Sequence, residues 1–284
     1  MANFILSAFA DEVSPLLDVQ LAYLNKMEVG YIEPRNVNGT NISSLTLDEA
    51  KEAKAKMDKH GIKVSSIGSP IGKIKTTDDF AEQLKLFENT LDIADIMETK
   101  NIRIFSFYFA AGIKPEDHRS IVMDRLGQFL KIAEKRNIVL CHENEKGIYG
   151  ETPENCLDIM KEFDGKIKSV FDNANFAFCF HEAYPKGVDL LLPYLQYAHI
   201  KDADAEGVIV PAGKGAGKVP ETLKAINKAY NGDFLLTVEP HLNIFSGLEK
   251  LSNLDELKVK NVYGTPEEAF NTAINATRDI LASL

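Results

Sequence analysis

Four short apolar runs in the second half of the chain each end on a residue able to ligate a metal: Ile138 to Glu143, Ile167 to Asp172, Tyr197 to His199, and Phe234 to Glu239. A short apolar run bounded by turn residues reads as a buried strand, and the carboxyl ends of parallel strands gather at one mouth of a sheet. Three carboxylates and one imidazole are thereby expected around one divalent cation. The set is rich in oxygen donors, which suits Mn²⁺, Mg²⁺, Co²⁺ or a catalytic Zn²⁺ and leaves the choice among them open. Each acidic residue taken alone has an ordinary alternative, as the cap of the next helix or the partner of a lysine. Recurrence at equivalent places gives the pattern its specificity.

Strand alternation sorts the neighbours, because side chains two apart share a face and adjacent ones do not. If Glu143 faces the mouth, His142 faces away and is expected to be a packed histidine. By the same rule Lys201 joins His199 and His241 joins Glu239, and both are expected as substrate contacts. Arg103 lies inside the apolar run Ile102 to Phe107, where an unpaired guanidinium is costly. Glu33 is one candidate partner; alternatively Glu33 and Arg35, which share a face, both reach the mouth. The loop Asp202 to Pro220 carries Gly213, Gly215 and Gly217 among lysines. It is expected either to hold an anionic group of the substrate, as loops after strand 7 of barrels often do, or to be simply solvated. It is not a P-loop, since Ala212 stands where the first glycine belongs and Val219 follows Lys218.

These residues need a scaffold that brings strand ends together, and short β-type runs do alternate with longer helical ones along the chain. The candidate strands are Phe4 to Phe9, Tyr31 to Arg35, Lys63 to Ile67, Ile102 to Phe107, Ile138 to Glu143, Ile167 to Asp172, Tyr197 to Lys201 and Phe234 to Glu239. Ser14-Pro15, Thr152-Pro153 and Thr265-Pro266 each place a capping hydroxyl before a proline whose missing N–H is not needed in a first helical turn. Thr46 with Glu49 and Thr265 with Glu268 fit capping boxes, and Gly61 fits a helix stop. Strand and helix units repeated without a linker predict a single domain over residues 1–284, a closed (β/α)8 barrel, with a doubly wound open sheet as the alternative. A second long excursion, Asn243 to Tyr263, follows the last strand and is expected to cover the mouth.

The 284-residue chain is 45% hydrophobic and 26% charged, as suits a globular protein with a packed core. A formal net charge of -10 argues against nucleic acid as a partner. Cys141, Cys156 and Cys179 show no CxxC spacing and fit a reducing cytosol, so a cytoplasmic location is expected. Ala8-Phe9-Ala10 resembles a signal-peptide cleavage site, but a basic region and sufficient apolar length are missing, and a first strand is expected there. No apolar run approaches the length of a membrane span, so no membrane partner is expected.

Longer motifs carry a family likeness. His142-Glu143-Asn144-Glu145-Lys146-Gly147-Ile148-Tyr149-Gly150, Phe171-Asp172-Asn173-Ala174-Asn175-Phe176, Ala198-His199-Ile200-Lys201-Asp202 and Val238-Glu239-Pro240-His241 resemble motifs of the xylose isomerase-like sugar phosphate isomerase/epimerase superfamily. The match extends upstream through Ala8 to Glu12, Ser66 to Lys73 and Ile102 to Ser106. The resemblance implies a (β/α)8 barrel in which Glu143, Asp172, His199 and Glu239 hold one divalent cation. It also implies that Glu143 and Glu239, as in the superfamily's ketose epimerases, stand on opposite faces of a substrate carbon and move its proton. A metal on the substrate's carbonyl and hydroxyl oxygens would stabilise the enediolate, and two carboxylates permit removal and return from different faces.

Two positions depart from the epimerase pattern. Asn175 replaces a histidine three residues after the strand-6 aspartate, and Ala205 replaces an arginine six residues after the strand-7 histidine. Lys201, Lys73, Arg35 and His241, with Asn175, are therefore expected to define a different substrate, with phosphorylated or carboxylated compounds among the options. Each has an ordinary alternative as a surface charge or capping group.

The leading expectation is a metal-dependent isomerase or epimerase acting on a small sugar, sugar phosphate or related polyol. A polyol or inosose dehydratase would use the same proton abstraction and expel a hydroxyl. A phosphodiesterase of the apurinic endonuclease branch shares the barrel but needs a histidine-rich zinc cluster, and this chain has six His in all. A non-catalytic sugar-binding barrel is a further class. The resemblance also implies that a homo-oligomer is an option.

Overall fold

The computed structural model describes residues 1–243 and 263–284. Each expected strand region forms a strand: β1 Ala2–Ala8, β2 Tyr31–Ile32, β3 Lys63–Val64, β4 Asn101–Ile104, β5 Val139–Glu143, β6 Lys168–Asp172, β7 Leu195–Ile200 and β8 Gly232–Val238. A six-stranded sheet runs in the order β1-β8-β7-β6-β5-β4, and β2 pairs with β3, all in parallel. Two links close the ring. Ile67 bridges Ile102 and so continues β3 to β4, while the Glu33 N–H donates to Ala8 O at 3.1 Å and joins β2 to β1. Closure makes the fold a (β/α)8 barrel and removes the doubly wound alternative.

Helices follow the strands at Leu17–Lys26, Leu47–His60, Phe80–Ile96, Pro115–Glu134, Pro153–Glu162, Asn173–Phe178 with Val188–Leu191, Val219–Ala229 and Pro266–Ala282. Their boundaries have local causes. The Glu49 N–H donates to Thr46 Oγ1 at 3.2 Å, the Thr46 N–H donates back to Glu49 Oε2 at 2.8 Å, and Gly61 ends that helix at φ 69°. Thr152 and Thr265 each accept from the third helical amide at 3.1 Å. Two expected starts differ. Ser14 instead turns the chain by accepting the Leu16 N–H, because Leu16 is still extended, and the helix begins at Leu17. Glu268 bonds the Gly264 N–H in place of Thr265's, so only half of that capping box forms.

The apolar core lies in two places. Outward-facing residues such as Leu140, Phe171 and Leu236 pack under the helices, while Cys141, Val170 and Tyr197 form a small separate cluster inside the barrel. One step further along these strands the inward positions become ionisable. Register aligns His199 with Asp172 on one side and Thr237 on the other, and Glu143 with Val170. β4 ends earlier than expected because the Phe105 and Phe107 amides turn to Ile71 O at 2.8 Å and Gly72 O at 3.0 Å. Gly72 sits at φ 89°, and a Cβ there would fall 2.0 Å from Phe105 O, so only glycine permits this approach. The expected cover at Asn243 to Tyr263 falls, apart from its two end residues, outside the described residues. Among the described residues no helix is long and apolar enough to cross a membrane.

Candidate metal centre at the barrel mouth

Glu143, Asp172, His199 and Glu239 each present one ligand atom within 4.8 Å of the others, and all are buried. His199 Nδ1 lies 2.9 Å from Glu143 Oε1 and 3.7 Å from Glu239 Oε2. Asn144 fixes the relative height of two of the ligands by mimicking a strand: its Nδ2 donates to Asp172 O and its Oδ1 accepts the Asp172 N–H, both at 2.9 Å. Asp172 divides its carboxylate. Oδ1 caps the following helix through the Asn175 N–H at 2.9 Å, which leaves Oδ2 for the cluster.

Among the described residues neither Glu143 Oε2 nor Asp172 Oδ2 accepts a hydrogen bond. Cations stand close by, with Arg103 Nη1 3.2 Å from Glu143 Oε2 and Lys201 Nζ 3.0 Å from Asp172 Oδ2. Buried carboxylate oxygens without hydrogen bonds are costly, and a hard divalent cation would satisfy them. The donor set therefore fits such an ion.

Charge at the site is unevenly held. Burial pushes the Glu143 carboxyl up, but His199 and Arg103 outweigh it and hold the group at about 2. Burial is likewise outweighed at Glu239, where Lys201, His199 and Arg35 hold the group well below the carboxylate range. At Asp172 burial wins over Lys201 and lifts the carboxyl to about 7. For His199 burial is overcome by Glu143 and Glu33, and the imidazole is raised to about 10. Burial, reinforced by Lys201 and Arg35, drives His241 far below the usual histidine range despite Glu239.

The other expected site residues divide into two groups. Lys201, Arg35, His241 and Asn175 touch the cluster. Lys201 Nζ is 3.1 Å from Glu239 Oε2, Arg35 Nη1 2.9 Å from Glu239 Oε1, His241 Nε2 3.3 Å from the same oxygen, and Asn175 Nδ2 3.3 Å from Glu143 Oε1. Lys73 does not touch it. Its ammonium pairs with Glu145 Oε2 at 2.8 Å and lies over the Phe105 ring, 4.4 Å from the centroid, nearer the rim. His142 faces away from the cluster, with Nε2 2.9 Å from Ser106 Oγ, and burial lowers its pKa to about 4.

Three findings depart from the sequence reading or exceed it. Arg103 pairs with Glu143 and with the carbonyls of Gly68 and Ser69, whereas the suggested partner Glu33 takes Tyr197, Thr237 and His199. The glycine-rich loop is neither an open anion cradle nor simply solvated. The amides of Gly213, Gly215 and Gly217 donate to the buried Asp202 carboxylate at 2.9, 3.0 and 3.0 Å, so an internal anion already fills it. Asp11 and Glu12 also belong to the site: Arg35 Nε is 3.0 Å from Asp11 Oδ2, and Arg35 Nη2 3.4 Å from Glu12 Oε1. Their adjacency in sequence was visible, but their convergence on Arg35 was not.

A closed parallel barrel with ionisable residues gathered at the carboxyl ends of its strands defines an α/β barrel of the enzyme-bearing type. The model of the xylose isomerase-like TIM barrel family matches residues 21–254, and the chain belongs to that family. Its fold is similar to that of an L-ribulose 3-epimerase, at 15% identity and TM-score 0.75 over 100% of this chain and 95% of that one. It is similar also to the IOLI protein with a binding zinc atom, at 19% identity and TM-score 0.72 over 98% of each chain. A probable 3-DHS dehydratase, AsbF from Bacillus anthracis, matches at 14% identity and TM-score 0.68 over 84% of this chain and 92% of that one. At such identities the likeness is one of fold. No curated protein sequence matches the chain.

Proposed function

We propose that this chain is a divalent-metal-dependent isomerase or epimerase of a polyhydroxylated carbonyl compound, with Glu143, Asp172, His199 and Glu239 as ligands and Glu143 and Glu239 as the proton-handling pair. The observation that carries this reading is the buried four-residue cluster in which two carboxylate oxygens accept no hydrogen bond among the described residues. When bound, the cation would draw electron density from the substrate's carbonyl and neighbouring hydroxyl and lower the cost of removing the adjacent C–H proton. Glu143 closes β5 and Glu239 follows β8, with carboxylate oxygens 2.9 and 3.7 Å from His199 Nδ1, and on this reading each serves its own face of a substrate carbon. An isomerase needs one of them to take the proton and deliver it to the next carbon. An epimerase uses both, one removing the proton and the other returning one.

Lys201 and His241 stand beside Glu239 and offer donors to substrate hydroxyls. Arg35, Arg103, Lys201 and Lys73 each face a carboxylate, and Asp202 fills the glycine amides. This charge balance supports an uncharged sugar or inosose over a sugar phosphate. Incubation with Mn²⁺, Mg²⁺, Co²⁺ or Zn²⁺ and a panel of ketoses, inososes and sugar phosphates in D₂O tests the reading. Metal-dependent deuterium at an α-carbon, lost in Glu143→Gln and in Glu239→Gln, is the expected outcome. A keto product formed with loss of water would move the reading to a dehydratase. Sugar binding without exchange at any metal would overturn the enzyme reading.

A further inference from the structure

Glu33 lies just past β2, wholly buried, and its carboxylate reaches across the barrel interior to residues of β7 and β8. It accepts from Thr237 Oγ1 at 2.7 Å and from Tyr197 OH at 2.9 Å, and its Oε2 lies 3.3 Å from His199 Nε2. We propose that Glu33 is a positioning residue that keeps the proton of His199 on Nε2 and so presents Nδ1 as the ligand atom for the cation. This inference rests on the metal reading of the four-residue cluster.

The two ring nitrogens of His199 face different chemistry. Nδ1 points among the candidate ligands, 2.9 Å from Glu143 Oε1, while Nε2 points down to Glu33. A neutral imidazole carries one N–H, and the nitrogen that keeps it cannot ligate. A carboxylate at Nε2 settles that choice and makes the opposite nitrogen the better donor. Glu33 cannot easily swing away, because the Tyr197 and Thr237 hydroxyls hold it and Tyr197 is itself tied to Ser66 Oγ at 3.1 Å. The imidazole plane is held as well, by the Phe9 ring set edge-on at 5.0 Å and 79°. Arg103 does not claim Glu33, since its hydrogen bonds go to Gly68 O and Ser69 O and its ion pair to Glu143.

The test measures metal affinity and the protonation of the ring, neither of which requires turnover. Dissociation constants for Mn²⁺ and Zn²⁺ are compared by calorimetry for the wild type and Glu33→Gln, alongside thermal unfolding of both. Glu33→Gln is expected to bind each ion about 10- to 100-fold more weakly while retaining the fold. Long-range ¹H–¹⁵N spectra of the zinc-loaded wild type are expected to show hydrogen on Nε2 and the metal-shifted resonance on Nδ1. Equal affinities for wild type and variant, or zinc on Nε2, would overturn the role of Glu33 alone. Failure of the wild type to bind any divalent ion would overturn the metal reading and the inference with it. If Glu33→Gln does not fold, the wild-type spectra decide.

Discussion

Strands β5 to β8 bring Glu143, Asp172, His199 and Glu239 to the mouth and leave two of their carboxylate oxygens accepting no hydrogen bond among the described residues. Strands β1 to β4 and the loops after them bring Asp11, Glu12, Glu33, Arg35 and Arg103, whose charges face one another or grip the first set. One half gathers ligand-type atoms that could hold an ion; the other holds that half in place. The difference shows how a barrel can bury several carboxylates within a few ångströms. Arginines from the opposite half neutralise part of the charge, Lys201 lies beside Asp172 and Glu239, and on the proposed reading a divalent cation would offset more.

The largest effect expected from this division is in the ligand half. Glu239→Gln and Glu143→Gln should each lower α-carbon deuterium exchange by about 10²- to 10⁴-fold, the range for removing a positioned acid or base. Exchange that survives either change would break the assignment of proton handling to these strands.

The supporting half should respond in stability first. Arg35→Met removes the guanidinium that faces Asp11, Glu12 and Glu239 and leaves buried carboxylates uncompensated. A loss of about 3–5 kcal/mol is expected by chemical denaturation. A variant as stable as the wild type would show that Arg35 serves the substrate and does not hold the ligands.

The same division explains what was legible in the sequence. β5 to β8 are five to seven residues long, and each ligand lies within one residue of its strand's end, so apolar pattern and ligand identity sit together. β2 and β3 have only two residues each, too few for alternation to assign a face. The role of Glu33 depends on Tyr197 and Thr237, which lie 164 and 204 residues away, and no local signal links them. Arg103 was recognisable as needing a partner, but Glu33 and Glu143 both face inward and only the closed ring distinguishes them. Asp172 and Asp202 are both buried aspartates near strand ends, although one keeps an oxygen for the cluster and the other closes a loop.

Asp202 offers a smaller test of that last contrast. Asp202→Asn weakens acceptance from the Ala203, Gly213, Gly215 and Gly217 amides and turns an N–H₂ toward N–H donors. A loss of about 1–3 kcal/mol is expected, with metal affinity unchanged. Weaker metal binding at unchanged stability would place this loop within the functional site.

The smallest effect per step is the most discriminating, because it counts protons. Without metal, His199 keeps its proton up to about 10 and Asp172 up to about 7, and a cation needs both groups deprotonated. Between those two values binding should release one proton, and below the lower one, two. Affinity should therefore rise with pH, about tenfold per unit in the upper range, or about 1.4 kcal/mol, and more steeply in the lower. Calorimetry in buffers of different ionisation heat measures the protons directly. Glu12 provides the control across the two halves: burial raises it to about 8, yet as a supporting residue it need not lose its proton when metal binds. Glu12→Gln should leave the proton count unchanged. A count reduced by one near pH 7 would move Glu12, with Glu239 and His241, into the cation's own site and erase the boundary between the halves.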